Sequence, residues 1–152
     1  MVMKYYIDAS VVAKWYKEKE EFESEALELL DDVVEFDVTG VTSSLTILEL
    51  IRALQKINIQ EKLIKESLSS LDSLFKTCLI KTGISDECVN LSKELMLSLR
   101  LYASDSIHLS SAILEDSDRI LTSDSEHMLR KNVVKMFSKN YGIDILHIKN
   151  YK

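Results

Sequence analysis

The chain has no proline, three glycines and two cysteines among its 152 residues. With so few breakers of regular structure, loops are expected to be short, helix to dominate, and no disordered linker to divide the chain. Cys78 and Cys88 are too few for a disulfide framework and stand in no metal-binding or redox spacing. They read as reduced thiols packed as small apolar groups in a cytoplasmic protein. No stretch reaches the ~18 apolar residues of a membrane span. The apolar start, Met1 to Ile7, is too short for a signal peptide and runs directly into Asp8, so no membrane association is expected. Positive charge is also scarce: 19 Lys and Arg face 25 Asp and Glu, a formal net charge of −6. That balance excludes holding nucleic acid by a broad basic surface. It leaves open work on nucleic acid through metal ions and a local basic patch.

What is present is a core-forming pattern: hydrophobic residues make up 46% of the chain, enough for one sizeable domain spanning residues 1–152. Short apolar runs at Met3 to Ile7, Val38 to Val41, Cys78 to Lys81, Arg119 to Leu121 and Ile143 to Ile148 read as strands. Helical spacing lies between them. Ser10 is expected to cap a helix through about Lys17, and Glu20 to Val34 carries Phe22, Ala26, Leu29, Leu30 and Val33 on one face. Thr42, Ser43 or Ser44 can cap a helix to about Lys56. Gln60 to Phe75 follows, then a helix capped by Ser85, another over Ala103 to Glu115, and a short one after Asp124. Strands alternating with helices predict an α/β fold: three layers, α/β/α, around a mainly parallel sheet of four to five strands. Sites in such sheets form outside the carboxyl ends of the strands.

Asp8 and Asp124 each come directly off an apolar run, so the topology places both at that edge. Glu49 and Asp105 interrupt apolar helical stripes. Asp105 has Leu101 and Leu109 at i−4 and i+4 with Ala112 at i+7, and Glu49 has Leu45 and Ala53. Any one of 25 acids is most often a solvated surface group; Asp8 and Asp124 could each cap a helix, and Glu49 could pair with Arg52. Four acids in such settings suggest a shared compensator. Like charges brought together in a poorly solvated place destabilise one another. A hard divalent cation, Mg²⁺ or Mn²⁺, takes carboxylate oxygen and removes that conflict. Bound, it can activate water and stabilise a phosphodiester leaving group.

These segments resemble the motifs of the PIN domain family, and of its VapC-like toxin ribonucleases. Asp8-Ala9-Ser10 after an apolar strand looks like the first motif. Glu49, on a helix after the Ser43-Ser44 turn, looks like the second. Ala103-Ser104-Asp105-Ser106-Ile107-His108-Leu109 looks like the third, and Thr122-Ser123-Asp124 resembles the fourth. The likeness runs from residue 3 to about 148. It implies a metal-dependent endoribonuclease with Asp8, Glu49, Asp105 and Asp124 as catalytic and metal-binding acids. Mg²⁺ (or Mn²⁺) would sit mainly on Asp8 and Asp105, with Ser10 and Thr122 in support. It also implies an RNA substrate, a small DNA-binding antitoxin as partner, and a homodimer. Leu63, Leu71 and Phe75 add to the dimer expectation as apolar surplus on one helix. The acidic stretch Glu18, Glu20, Glu21, Glu23 and Glu25 departs from the family pattern.

Other readings compete. A haloacid-dehalogenase-like phosphatase needs an acid where Ser10 stands, and a receiver domain needs one where the third strand ends in Thr82-Gly83. A non-catalytic PIN-like RNA-binding module would not require all four acids. His108 reads as a surface or core-edge histidine; His127 and His147 have no metal spacing with each other. Trp15 and Tyr16 read as core or dimer contacts before base-stacking groups. Lys14, Arg52 and Lys56 are candidates for phosphate contact, with ordinary surface charge as the plainer alternative.

Overall fold

The computed structural model describes residues 1–152. Strand β1 (Lys4–Ile7) leads into a single helical turn, α1 (Ala9–Val12), and a 3-10 turn (Ala13–Trp15). Then come α2 (Glu23–Val34), β2 (Thr39–Ser43), α3 (Leu45–Lys56), α4 (Glu61–Thr77) and β3 (Leu79–Thr82). The chain continues through α5 (Asp86–Leu99), α6 (Ala103–Leu114), β4 (Arg119–Thr122), α7 (Lys131–Tyr141) and β5 (Asp144–His147), and closes on a 3-10 turn (Ile148–Asn150). All five strands are parallel, in the order β3-β2-β1-β4-β5.

Alternation along the strands sorts two cores. Tyr5, Ile7, Leu79 and Leu121 point to one face, where α1 to α4 supply Val11, Val12, Ala26, Leu29, Leu50, Leu54 and Leu71. Tyr6, Val41, Ile120 and Ile145 point to the other, against Leu95, Leu99, Leu109, Val133 and Phe137 of α5, α6 and α7. A sheet covered on both faces needs strands that are apolar on both sides, and this explains the near-continuous apolar runs. The three-layer α/β/α architecture expected from the sequence is therefore present, with five strands.

Several local expectations are corrected. Asp8, not Ser10, occupies the N-cap of α1, and its side chain makes no capping hydrogen bond. The helix expected to reach Lys17 is one turn long and tightens into the 3-10 turn. Ser44 precedes α3 without a side-chain cap, while Ser43 Oγ accepts the Leu45 N–H at 3.1 Å. Asp124 opens a hydrogen-bonded turn rather than a helix, and α7 begins only at Lys131. The α4 surplus shrinks on inspection: Leu71 is buried, Phe75 packs against the same core, and Leu63 alone of the three is exposed. Both cysteines are free, and Cys88 is buried. No helix is long and apolar enough to cross a membrane.

Gly40 sits where β2 passes between α2 and its neighbouring strands. A Cβ there would lie 3.0 Å from Leu79 Cδ1, 3.0 Å from Val33 Cγ2 and 3.1 Å from Ile7 Cδ1. These atoms belong to three different elements and to side chains that are all buried, so an added methyl must displace one of them. Gly40→Ala is expected to destabilise the fold by about 1–3 kcal/mol through overpacking, read as a lower urea midpoint. An unchanged or raised midpoint would show that this contact is slack.

Candidate active site

The connections of β1 and β4 leave in opposite directions, β1 towards β2 and β4 towards β5. Between two such strands of a parallel sheet a crevice opens at their carboxyl ends. Asp8 stands at its floor. Its N–H donates to Leu121 O at 2.9 Å, extending the β1–β4 pairing by one residue. Its carboxylate is buried and held by two hydroxyls: Ser10 Oγ donates to Oδ2 at 2.6 Å and Thr122 Oγ1 donates to the same oxygen at 2.9 Å. Each hydroxyl also accepts a backbone N–H from the segment leaving β4, Ser123 to Ser10 at 3.0 Å and Asp124 to Thr122 at 3.0 Å. Ser10 and Thr122 thus fix the Asp8 carboxylate to the β4 exit.

Asp105 comes from the first turn of α6 and is half-buried above Leu101, Leu109 and Ala112, as its position on the stripe predicts. Its carboxyl is pushed up to about 6, first by burial and then by the charges of Asp124 and Asp8. Asp124 Oδ1 accepts the N–H groups of Glu126 and His127, both at 3.1 Å, which orients the side chain within its turn. Metal-ligating atoms of Asp105, Asp124 and His127 all lie within 4.8 Å of one another.

Glu49 is not paired with Arg52. It hydrogen-bonds His108 Nε2 in a close contact. His108 is buried, one turn beyond Asp105; its Nε2 lies 3.6 Å from Asp8 Oδ1 and its Nδ1 shares a 2.7 Å hydrogen bond with the Tyr6 hydroxyl. Burial, the largest influence, pulls this imidazole down, yet Asp8, Glu49 and Asp105 together outweigh it and leave it raised. Burial, with Asp8 adding to it, holds the Tyr6 phenol well above its ordinary value, so it remains a neutral hydrogen-bond partner. The reading of His108 as a core-edge histidine is therefore corrected. The available signal was its position at i+3 from Asp105 on the same helix. His127 carried a similar signal, at i+3 from Asp124.

The acids line a cleft of about 570 Å³ whose remaining wall includes Lys14, Lys17, Glu20, Arg52 and Lys56. These cations are not equivalent. Lys14 is buried and donates to Glu21 O at 2.7 Å, and Lys17 pairs with Glu20 at 2.5 Å. Arg52 and Lys56, a turn apart on α3, are exposed and form no ion pair. Trp15 donates to Ala26 O at 2.8 Å and packs on the core. Tyr16 reaches Ser70 at 3.3 Å.

Asp105 carries a pH signature. Because its folded pKa is raised from 3.8 to about 6, the unfolded chain loses this proton first. The associated stability is fully present below about pH 4 and is lost as pH rises through about 6. The raised His108 has the same sign over a higher window, from about pH 6.5 upward. In metal-free buffer, Asp105→Asn is expected to match wild type near pH 4. At pH 7 it should exceed wild type by on the order of 1 kcal/mol, after allowance for solvent at this half-buried group. Urea unfolding across that range in EDTA checks this; a variant weaker than wild type at pH 7 would refute the crowding.

No curated protein matches the chain by sequence. Solved structures share its fold at low identity, among them three from different systems. The VapBC2 structure from Rickettsia felis bound to a promoter DNA fragment has 19% identity and a TM-score of 0.62, covering 95% of this chain and 98% of that one. FitAB bound to the IR36 DNA fragment has 12% identity and a TM-score of 0.68, covering 97% of each chain. VapC20 of Mycobacterium tuberculosis, a toxin that cleaves the sarcin–ricin loop, has 10% identity and a TM-score of 0.65, covering 82% of this chain and 93% of that one. The PIN domain family model matches residues 5–132. That match spans most of the chain and takes in Asp8, Glu49, Asp105 and Asp124, so the protein belongs to the PIN domain family.

Proposed function

We propose that the protein is a divalent-metal-dependent endoribonuclease and the toxin of a toxin–antitoxin pair. The observation that carries this is the arrival of Asp8, Asp105 and Asp124 at one cleft from separate elements, with two unpaired cations lining the same cleft. The donor set fits a hard divalent cation. Asp8 Oδ2 is occupied by two hydroxyl donors while Oδ1 is not, and Asp105 is raised first by burial and then by its acidic neighbours, a cost that a cation would reduce. When bound by these acids, Mg²⁺ or Mn²⁺ supplies an activated water and charge stabilisation at the phosphate.

The protein's own groups do the rest. Ser10 and Thr122 hold the Asp8 carboxylate still; His108, braced by Tyr6, holds Glu49 at the rim. Arg52 and Lys56 offer phosphate contacts along one wall, which a chain of net charge −6 needs if it is to approach a polyanion. The sarcin–ricin-loop cleavage named for VapC20 supports RNA as substrate.

Cleavage of single-stranded RNA is expected to stop in EDTA and return with Mg²⁺ or Mn²⁺. Asp8→Asn and Asp105→Asn should each lower the rate by more than about 100-fold, on the scale of losing a group that acts mainly in the transition state. Glu49→Gln and Asp124→Asn should give smaller defects, partly restored by excess metal, because a weakly held Mg²⁺ keeps several waters. Arg52→Ala should weaken RNA binding and leave metal dependence alone. Cleavage that survives EDTA would sink the mechanism.

The toxin–antitoxin complex from Klebsiella pneumoniae and the DNA-bound VapBC of Salmonella typhimurium share this fold, which supports a small DNA-binding antitoxin as partner. The likeness to PIN domains implies a homodimer as well. Light scattering at micromolar concentration is expected to give twice the 17.4 kDa chain mass. A monomer would remove the homodimer.

A further inference from the structure

The four acids fall into two groups, and each group has its own histidine. His108 is spent: one ring nitrogen meets the Tyr6 hydroxyl and the other faces Glu49 and Asp8. His127 is not. Its ring lies on the turn after β4, about one-third exposed, and its sole side-chain polar contact is a long one, Nδ1 to Asp124 Oδ1 at 3.3 Å. That oxygen already accepts two backbone N–H groups, while Asp124 Oδ2 takes no hydrogen bond. Tyr102 covers the imidazole, ring centroids 5.0 Å apart and tilted 49°. Tyr102 is also the N-cap residue of α6, the helix that carries Asp105. One helix start therefore both supplies a carboxylate and holds the histidine ring beside it. The ligating atoms of Asp105, Asp124 and His127 converge within 4.8 Å.

We propose that His127 is a direct metal ligand, completing with Asp105 and Asp124 a nitrogen-containing site that selects late first-row cations over Mg²⁺. The proposal rests on the metal-dependent reading above and deepens it. Mg²⁺ prefers an all-oxygen shell and keeps its waters. An imidazole donor favours borderline cations, with affinity rising from Mn²⁺ to Co²⁺ along the divalent series. One histidine among carboxylates thus makes the metal preference a property of this turn and not of the acids. The plainer role for His127, a surface partner for Asp124, needs neither Asp105 nor the Tyr102 cover.

The test uses the full chain without RNA. Mn²⁺ is the spectroscopic probe, and pulsed electron paramagnetic resonance reports whether a nitrogen is bound to it. Wild type is expected to show imidazole nitrogen coupling, and His127→Asn to lose it. By calorimetry, His127→Asn should weaken Co²⁺ binding by about tenfold or more, the lower end of what even an outer partner of a metal site costs, while Mg²⁺ affinity stays within about twofold. The wild-type spectrum stands alone should the variant fail to fold. Mn²⁺ bound without nitrogen coupling, or with coupling that persists in His127→Asn, overturns the proposal and leaves the metal-dependent nuclease intact. No Mn²⁺ binding at all overturns both.

Discussion

The parallel pairing of β1 with β4 is the constraint on which the rest depends. Tyr6 lies beside Ile120 and Ile7 beside Leu121, and the Asp8 N–H continues the ladder onto Leu121 O. Residues more than a hundred positions apart are thereby locked in register at the one edge where a parallel sheet opens. The Ser10 and Thr122 hydroxyls add bonds that would be pointless without that register, because each spans from the β1 exit to the β4 exit. Slip the register by one residue and Asp8 would turn to the opposite face. The site is in this sense a by-product of sheet order, and the carboxylate is placed by backbone hydrogen bonds before any ligand is considered.

Having been placed, the acids oppose one another. The protein offsets this unevenly. Asp8 is relieved by two hydroxyl donors and a nearby imidazole; Glu49 is relieved by the same imidazole; Asp105 has no hydrogen-bond donor and pays in its raised pKa. A fold that only needed stability would place an apolar residue there, since Leu101, Leu109 and Ala112 already surround the position. Retaining an uncompensated acid on that stripe is best understood as a cost accepted for chemistry at the cleft.

Much of this was legible in the sequence, for reasons that differ by element. The central strands β1 and β4 were readable because burial on both faces makes their last residues apolar, and the sheet-edge positions of Asp8 and Asp124 follow from strand ends alone. Asp105 was readable because its helical neighbours at i−4, i+4 and i+7 are all core residues. The extent of α1 was not. Ser10 has the composition of a cap, but its hydroxyl is drawn instead into the Asp8 network, a tertiary demand that local propensity cannot register. The alternative of a Glu49–Arg52 pair fails for the same reason. The Arg52 pairing is local and visible at i+3; the His108 pairing joins α3 to α6 and exists only after folding. The turn after Asp124 eluded pattern reading because it contains no glycine or proline to mark it.

The two histidines show why counting acids understates such a site. By sequence, Asp8, Glu49, Asp105 and Asp124 look like four equal carboxylates. In the fold, His108 stands buried beside Asp8 and Glu49 and hydrogen-bonds Glu49, where solvent cannot screen the contact. Asp105 and Asp124 lie on the other side, where the neighbouring imidazole is about one-third exposed and has a single long polar contact. Burial and the charges of Asp124 and Asp8 raise Asp105 in spite of both histidines. Unpaired Arg52 and Lys56 line the same cleft, on the helix that carries Glu49. The asymmetry arises from where two histidines fall, one on α6 and one at the β4 exit, not from the number of acids.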